Sequence, residues 1–195
     1  AAQPAERPTA EMAADDAAVL LYTSGTTGKP KGCVWTHVSF LGSMVTRDAH
    51  ICADFKSTDR YFYLSDMGWM VGAMCACIPS YFGASLLVAE GTPDYPDTGR
   101  FWRLVQTHRV TYLGVSPTLV RGLMRHGSAD VDAADLSALR ITCSGGEAWT
   151  EAPWRWFFEH VCHRRVPIIN IVGGTEVGGC NFTGTLLHPM RPGSF

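Results

Sequence analysis

The chain is 195 residues long, 46% hydrophobic and 17% charged, with a formal net charge of -2. Such a length allows one domain with a substantial core, or two small subdomains, and excludes a small disulfide-stapled scaffold. Charge content lies below the roughly 25% of an average soluble domain, which implies surface that something else covers, and the near-neutral balance excludes the basic field needed to grip a nucleic-acid backbone.

Residues Ala1 to Asp16 are rich in Ala, Pro and Glu without an apolar period and read as an extended lead-in. From residue 17 onward, short apolar runs alternate with longer helical patterns. The strand candidates are Val19 to Tyr22, Arg60 to Leu64, Ser85 to Ala89, Val110 to Gly114, Leu139 to Cys143 and Ile168 to Val172. Between them His37 to His50, Gly68 to Ile78, Thr98 to His108, Pro117 to His126 and Thr150 to His163 read as helices. This alternation predicts βαβ units, hence an α/β fold with a largely parallel sheet flanked by helices. Ser116 before Pro117 is an N-cap with a first-turn proline, and Gly127 is a stop.

The stretch from Met67 to Ala89 carries no charge and is long enough to span a bilayer, but Gly68, Gly72, Pro79 and Gly83 interrupt it. A soluble core is expected there, with Pro79 to Gly83 as a turn between helix and strand. Seven scattered cysteines, an odd number, and the lack of a charged-then-apolar leader predict reduced thiols in a cytoplasmic setting. Cys75, Cys77, Cys162, His160 and His163 lack the spacing of a structural zinc site. The closing stretch His188 to Phe195 reads as a loop, so a piece of a longer chain is expected.

The richest segment is Tyr22 to Gly32, which packs hydroxyls, glycines and two lysines behind an apolar strand; the sequence places a helix after it. Glycines let successive backbone N–H groups converge on one anion, hydroxyls add donors and lysines add charge, so a polyphosphate suits it. It is not a Walker loop. Two residues instead of four separate Gly25 from Gly28, and Pro30 follows Lys29 where a hydroxyl should stand.

Thr23-Ser24-Gly25-Thr26-Thr27-Gly28-Lys29-Pro30-Lys31-Gly32 resembles the signature loop of the adenylate-forming superfamily, which spans acyl-CoA synthetases, luciferases and peptide-synthetase adenylation domains. Thr36-His37, Asp66-Met67-Gly68-Trp69, Tyr95 to Trp102, Ser116-Pro117-Thr118, Gly145-Gly146-Glu147-Ala148 and Gly174-Thr175-Glu176 follow in that superfamily's order and resemble its acetyl-CoA-synthetase-like branch. The resemblance implies the large N-terminal domain of such an enzyme over residues 17 to 195, without the small C-terminal domain that carries a catalytic lysine. It implies that Thr23, Ser24, Gly25, Thr26, Thr27, Gly28 and Lys29 close over the β- and γ-phosphates of ATP. Gly145, Gly146, Glu147 and Ala148 would line the adenosine pocket, Gly174 would belong to the nucleotide site, Thr175 would contact the α-phosphate, and Glu176 would hold Mg²⁺. His37 is a further catalytic or positioning candidate, and Trp69 an acyl-pocket or core aromatic. Asp66 stands in the acyl-CoA-type context.

The implied reaction activates a carboxylic acid as an acyl adenylate and passes the acyl group to CoA. Where acetyl-CoA synthetases carry two tryptophans, this chain has Val172 and Gly173. An open pocket floor at Gly173, an acyl group larger than acetyl, and a shift toward short acids in a Gly173→Trp variant are expected. The alternatives are an amino-acid or aryl-acid adenylation domain that loads a carrier protein, and a non-catalytic nucleotide-binding fragment. Poor turnover by this stretch alone, and self-association through uncovered apolar surface, are also expected.

Overall fold

A computed structural model describes residues 9 to 25 and 28 to 194. Ala17–Thr23 (β1) and Lys31–Thr36 (β2) form an antiparallel hairpin, with Thr23 opposite Lys31 and Val19 opposite Trp35. Thr36 then caps a helix: its Oγ1 accepts from Ser39 N at 3.2 Å and Ser39 Oγ accepts from Thr36 N at 3.0 Å, a reciprocal capping box. The helix opens at His37–Ser39 (α1) and runs on as wide π-helical turns over Phe40–Cys52.

The main sheet consists of Arg60–Tyr63 (β3), Ser85–Leu87 (β4), Tyr112–Val115 (β5), Ile141–Ser144 (β6), Ile168–Gly174 (β7) and Gly179–Thr183 (β8), in the order β4-β3-β5-β6-β7-β8. All neighbours are parallel except β7 and β8. The connecting helices are Met70–Phe82 (α2), Arg100–Thr107 (α3), Pro117–Met124 (α4), Ala129–Asp132 (α5) and Glu151–Trp156 (α6), the last continuing as π-helical turns over Phe157–Val161. The expected α/β class with helices on a largely parallel sheet is what the chain adopts.

Side-chain alternation divides the core into two. Phe62, Leu113, Val115 and Ile168 pack with Phe101, Val120, Trp154 and Phe157 on one face. Tyr61, Tyr63, Tyr112, Ile141 and Ile169 pack with Phe40, Met44, Val45 and Met74 on the other. Strands buried on both faces have continuous apolar runs, which is why these were legible.

Three expectations change. The residues after the glycine-rich segment form a strand before any helix begins. Pro79 lies inside α2, which runs to Phe82 and ends at Gly83 in the left-handed region (φ 68°). Trp69 is exposed and belongs to no core, while Asp66 Oδ1 accepts from Gly68 N at 2.7 Å in a local turn. Among the described residues no helix is long and apolar enough to cross a membrane, no cluster of three or more His, Cys, Asp or Glu is placed to hold a metal ion by itself, and all seven cysteines are free. Ala1 to Pro8 of the lead-in lie outside the described residues. In the remainder Asp16 Oδ2 accepts from Ala13 N, and Ala14 O accepts from Val38 N.

Candidate functional site

In open α/β sheets, ligands collect at the carboxyl ends of the strands, where each chain leaves the sheet in a loop. Here three adjacent strands release the sequence-predicted segments at that edge. β5 is followed by Ser116, whose Oγ accepts from Leu119 N at 3.1 Å to cap α4 as expected. β6 leads into Gly145–Ala148. β7 carries Gly173 and Gly174 and turns through Thr175 and Glu176 into β8.

The Gly145–Ala148 segment is held from two sides. Glu147 accepts from Thr118 N at 2.8 Å and from Arg121 Nη2 at 2.5 Å, so its carboxylate is tied to the first turns of α4. Those bonds, Thr118 first and Arg121 second, hold its pKa below the ordinary glutamate range. With that side chain engaged, the backbone of Gly145, Gly146 and Ala148 is what the segment leaves open. Gly145 also has to be glycine, because a Cβ there would stand 2.7 Å from Ile171 Cγ1.

The Thr175–Glu176 turn is fastened from beneath. Trp35 Nε1 donates to Thr175 O at 2.7 Å. At the turn's exit, Asp48 Oδ2 accepts from Cys180 N at 2.8 Å while Arg47 Nη2 donates to Cys180 O at 2.8 Å. Arg47 also donates to Asp48 Oδ1 at 2.7 Å, and that bond, offset by burial, raises the guanidinium's already high pKa. Asp48 is 5% exposed, so this carboxylate is a buried anchor with both oxygens partnered. Glu176 is the reverse: exposed, and without an ion pair among the described residues. A free hard carboxylate of that kind fits Mg²⁺, which takes one or two protein carboxylates and completes its shell with phosphate oxygens and water.

The glycine-rich loop joins β1 to β2, so it is a hairpin loop. Gly25 and Gly28 take φ of 67° and 84°, and a Cβ on Gly25 would fall 2.3 Å from Lys29 O. The loop therefore closes on itself at a point that tolerates no side chain. Ser24, Gly28 and Lys29 are exposed and Thr23 is half-buried; Thr26 and Thr27 lie outside the described residues. From Lys31, Trp35 lies four residues, about 13 Å, along β2, so the hairpin meets the Thr175–Glu176 turn at Trp35 and carries its loop beyond that contact.

Two site expectations are corrected. His37 follows the whole of β2 and so lies about 20 Å along the chain direction from Lys31. It lines an open surface depression with Met12, Val38, Leu41 and Thr46, at the opposite end of β2 from the loop. Gly173 does not leave an open floor either. A Cβ there would stand 2.1 Å from Gly179 O, at the irregularity where β7 pairs with β8. Its missing side chain allows two backbones to approach, so a Gly173→Trp variant would force β8 away from β7 rather than shorten a pocket.

Sequence reasoning missed Trp35, Arg47, Asp48 and Asn170. Asn170, 5% exposed on β7 and paired in register with Ser144 on β6, has an amide nitrogen that donates to Ser194 O at 3.1 Å while its Oδ1 has no partner. Ser144 Oγ is likewise buried and unpartnered. A lone amide in the apolar run Ile168 to Val172 was the available signal.

A doubly covered α/β sheet, with glycine-bearing loops and a free carboxylate at the carboxyl edge of its strands and a glycine-hinged hydroxyl and lysine loop beside it, defines the class of phosphate-handling nucleotide-binding domains. Comparison with known proteins gives the family: the profile described as AMP-binding enzyme matches residues 1 to 194, and the chain belongs to that family. It is 38% identical over 199 residues to an acetyl-coenzyme A synthetase of Xanthomonas campestris pv. campestris (strain 8004), an alignment covering 98% of this chain and 30% of that protein. It is likewise 38% identical over 190 residues to acetyl-coenzyme A synthetase 2 of Pseudomonas putida, covering 95% of this chain and 29% of that one. The chain thus spans about 30% of the length of these relatives. A crystal structure of the anthranilate CoA ligase AuaEII in complex with anthranoyl-AMP superposes with a TM-score of 0.84 at 26% identity, over 98% of this chain and 36% of that one.

Proposed function

We propose that this chain is the phosphate-gripping part of an AMP-forming acid–thiol ligase. In the first half-reaction an oxygen of the carboxylic acid attacks the α-phosphorus of ATP, the bond to the β-phosphate breaks, and pyrophosphate leaves. In the second, the sulfur of CoA attacks the acyl carbon, a thioester forms and AMP departs. Both are displacements on activated centres, so the protein's work is positioning and charge neutralisation, with no side-chain nucleophile required.

Thr23, Ser24, Gly25, Thr26, Thr27, Gly28 and Lys29 are assigned to the terminal phosphates, Thr175 to the α-phosphate, and the backbone of Gly145, Gly146 and Ala148 to adenosine. Asn170 Oδ1, buried without a donor at the same edge, suits the exocyclic amino group of the base. Glu176 would hold the magnesium ion, which when bound neutralises charge on the phosphate oxygens. The observation that carries this reading is the tight hairpin loop with left-handed glycines at Gly25 and Gly28, set beside the exposed Ser24 and Lys29, in a chain of the AMP-binding family.

The test is exchange of labelled pyrophosphate into ATP by the protein at its native length, over acids from acetate to anthranilate, followed by a CoA-dependence assay. Acid-dependent exchange with thioester formation on free CoA is expected. Exchange without CoA transfer would favour an adenylation domain that loads a carrier, and no exchange with any acid would overturn the assignment. Gly173 supports no choice of acyl size, so the panel is deliberately broad.

A further inference from the structure

Trp35 is 3% exposed, and one face of its indole stacks on Phe40 with ring centroids 5.6 Å apart at 16°. Gly178, in the left-handed region at φ 63°, packs so closely on the indole that a Cβ there would stand 3.0 Å from the ring. The remaining polar atom, Nε1, donates to Thr175 O across 140 residues of sequence. Packing alone would be met by a phenyl ring; an indole adds a donor, and a buried donor has to be aimed at an acceptor.

The acceptor is informative. Thr175 O belongs to the peptide plane that ends in the nitrogen of Glu176, so fixing that oxygen fixes the orientation of the unit joining the two side chains assigned to the α-phosphate and to the metal. Trp35 itself lies on the return strand of the phosphate-loop hairpin, opposite Val19. We propose that Trp35 is a positioning residue that locks the phosphate-loop hairpin to the Thr175–Glu176 turn, so that the two parts of the Mg·ATP site keep one relative placement. This rests on the function proposed above and deepens it. Asp48 and Arg47 hold the turn's exit at Cys180, which leaves its entry to Trp35.

The experiment uses the protein at its native length with Trp35→Phe, and separately with 3-benzothienylalanine at position 35, which keeps the shape of the indole and replaces its N–H with sulfur. Val110→Ala, a buried core change on the other face of the sheet, serves as a control for general destabilisation. Both position-35 variants are expected to raise the KM for Mg·ATP by about tenfold while the KM for the acid stays within about twofold. They are also expected to speed amide hydrogen exchange at Glu176 to Gly178. The control should lower the thermal midpoint and move neither reading. Equal KM values for Mg·ATP, a parallel rise in both KM values, or unchanged exchange at Glu176 to Gly178 in the isosteric variant would each overturn the proposal. Amide exchange needs no turnover, so the link is decided even if pyrophosphate exchange fails and the functional reading falls alone.

Discussion

At the amino ends of the parallel strands, Asp59 is 2% exposed and accepts from Lys56 N, Thr111 Oγ1 and Arg140 Nη2 at 2.8, 2.7 and 2.6 Å. Arg140 also donates to Asp54 Oδ2 and Asp54 O, so residues just before β3, β5 and β6 are tied in one polar network. Toward the carboxyl ends of β6 and β7 Glu176 is exposed without an ion partner among the described residues, and Ser144 Oγ and Asn170 Oδ1 are buried without partners. The same kinds of side chain therefore do opposite work. Where every lone pair is satisfied internally the group contributes to stability and has nothing left for a ligand; where one is left open, as at Glu176 and Asn170, the group is free for the partner proposed above.

The contrast is best broken at its closed end. Asp59→Asn removes the charge that faces Arg140 while leaving a buried amide in a network built for a carboxylate. It should lower unfolding free energy by about 3 kcal/mol, measured from denaturant midpoints. A change under about 0.5 kcal/mol would mean that Asp54 alone suffices for Arg140 and that Asp59 is not the anchor. At the open end the signature reverses. Glu176→Gln should leave the denaturant midpoint within about 0.5 kcal/mol of the parent, yet cut pyrophosphate exchange about 100-fold, because the proposed interaction is made only with bound Mg·ATP. Equal losses of stability and exchange would erase the distinction between the two ends.

Much of the closed scaffold was legible, because strands buried on both faces leave apolar runs, and Ser116-Pro117 carries its own capping chemistry. The hairpin was not. Lys31 to Thr36 mixes Lys, Gly and Thr with Cys, Val and Trp, and its strand character comes from pairing with β1 rather than from an alternating pattern. That omission displaced His37 by a whole strand length. Pro79 was read as a breaker, but near the carboxyl end of α2 its missing N–H costs one bond, and packing holds the rest of the turn. Arg47, Asp48 and Trp35 grip the Thr175–Glu176 turn across more than 130 residues of sequence, a proximity that composition and spacing cannot encode. Gly173 misled for a related reason: the missing side chain faces a paired backbone, and only the β7–β8 register reveals it.

Between the two ends stands Glu147, partly exposed yet fully engaged, and its pH response shows to which side it belongs. Its folded pKa is depressed from an ordinary value of 4.5, so the ionised form is the one the fold favours. The sign follows: the stabilisation is complete above that ordinary value and is lost as pH falls through the lowered folded pKa. Both side chains of the Arg121–Glu147 pair are 35% exposed, and solvent screening limits the effect to about 0.5 kcal/mol. Glu147→Gln should therefore be less stable than the parent at neutral pH by about that amount, with the gap closing as the solution is acidified below 4.5. Denaturant midpoints of the two proteins along a pH series provide the check. A gap that stays constant with pH would show that Glu147 acts through packing and its hydrogen bond to Thr118, with no share from its charge. A closing gap would place this residue with the scaffold, its charge holding the Gly145–Ala148 segment against α4.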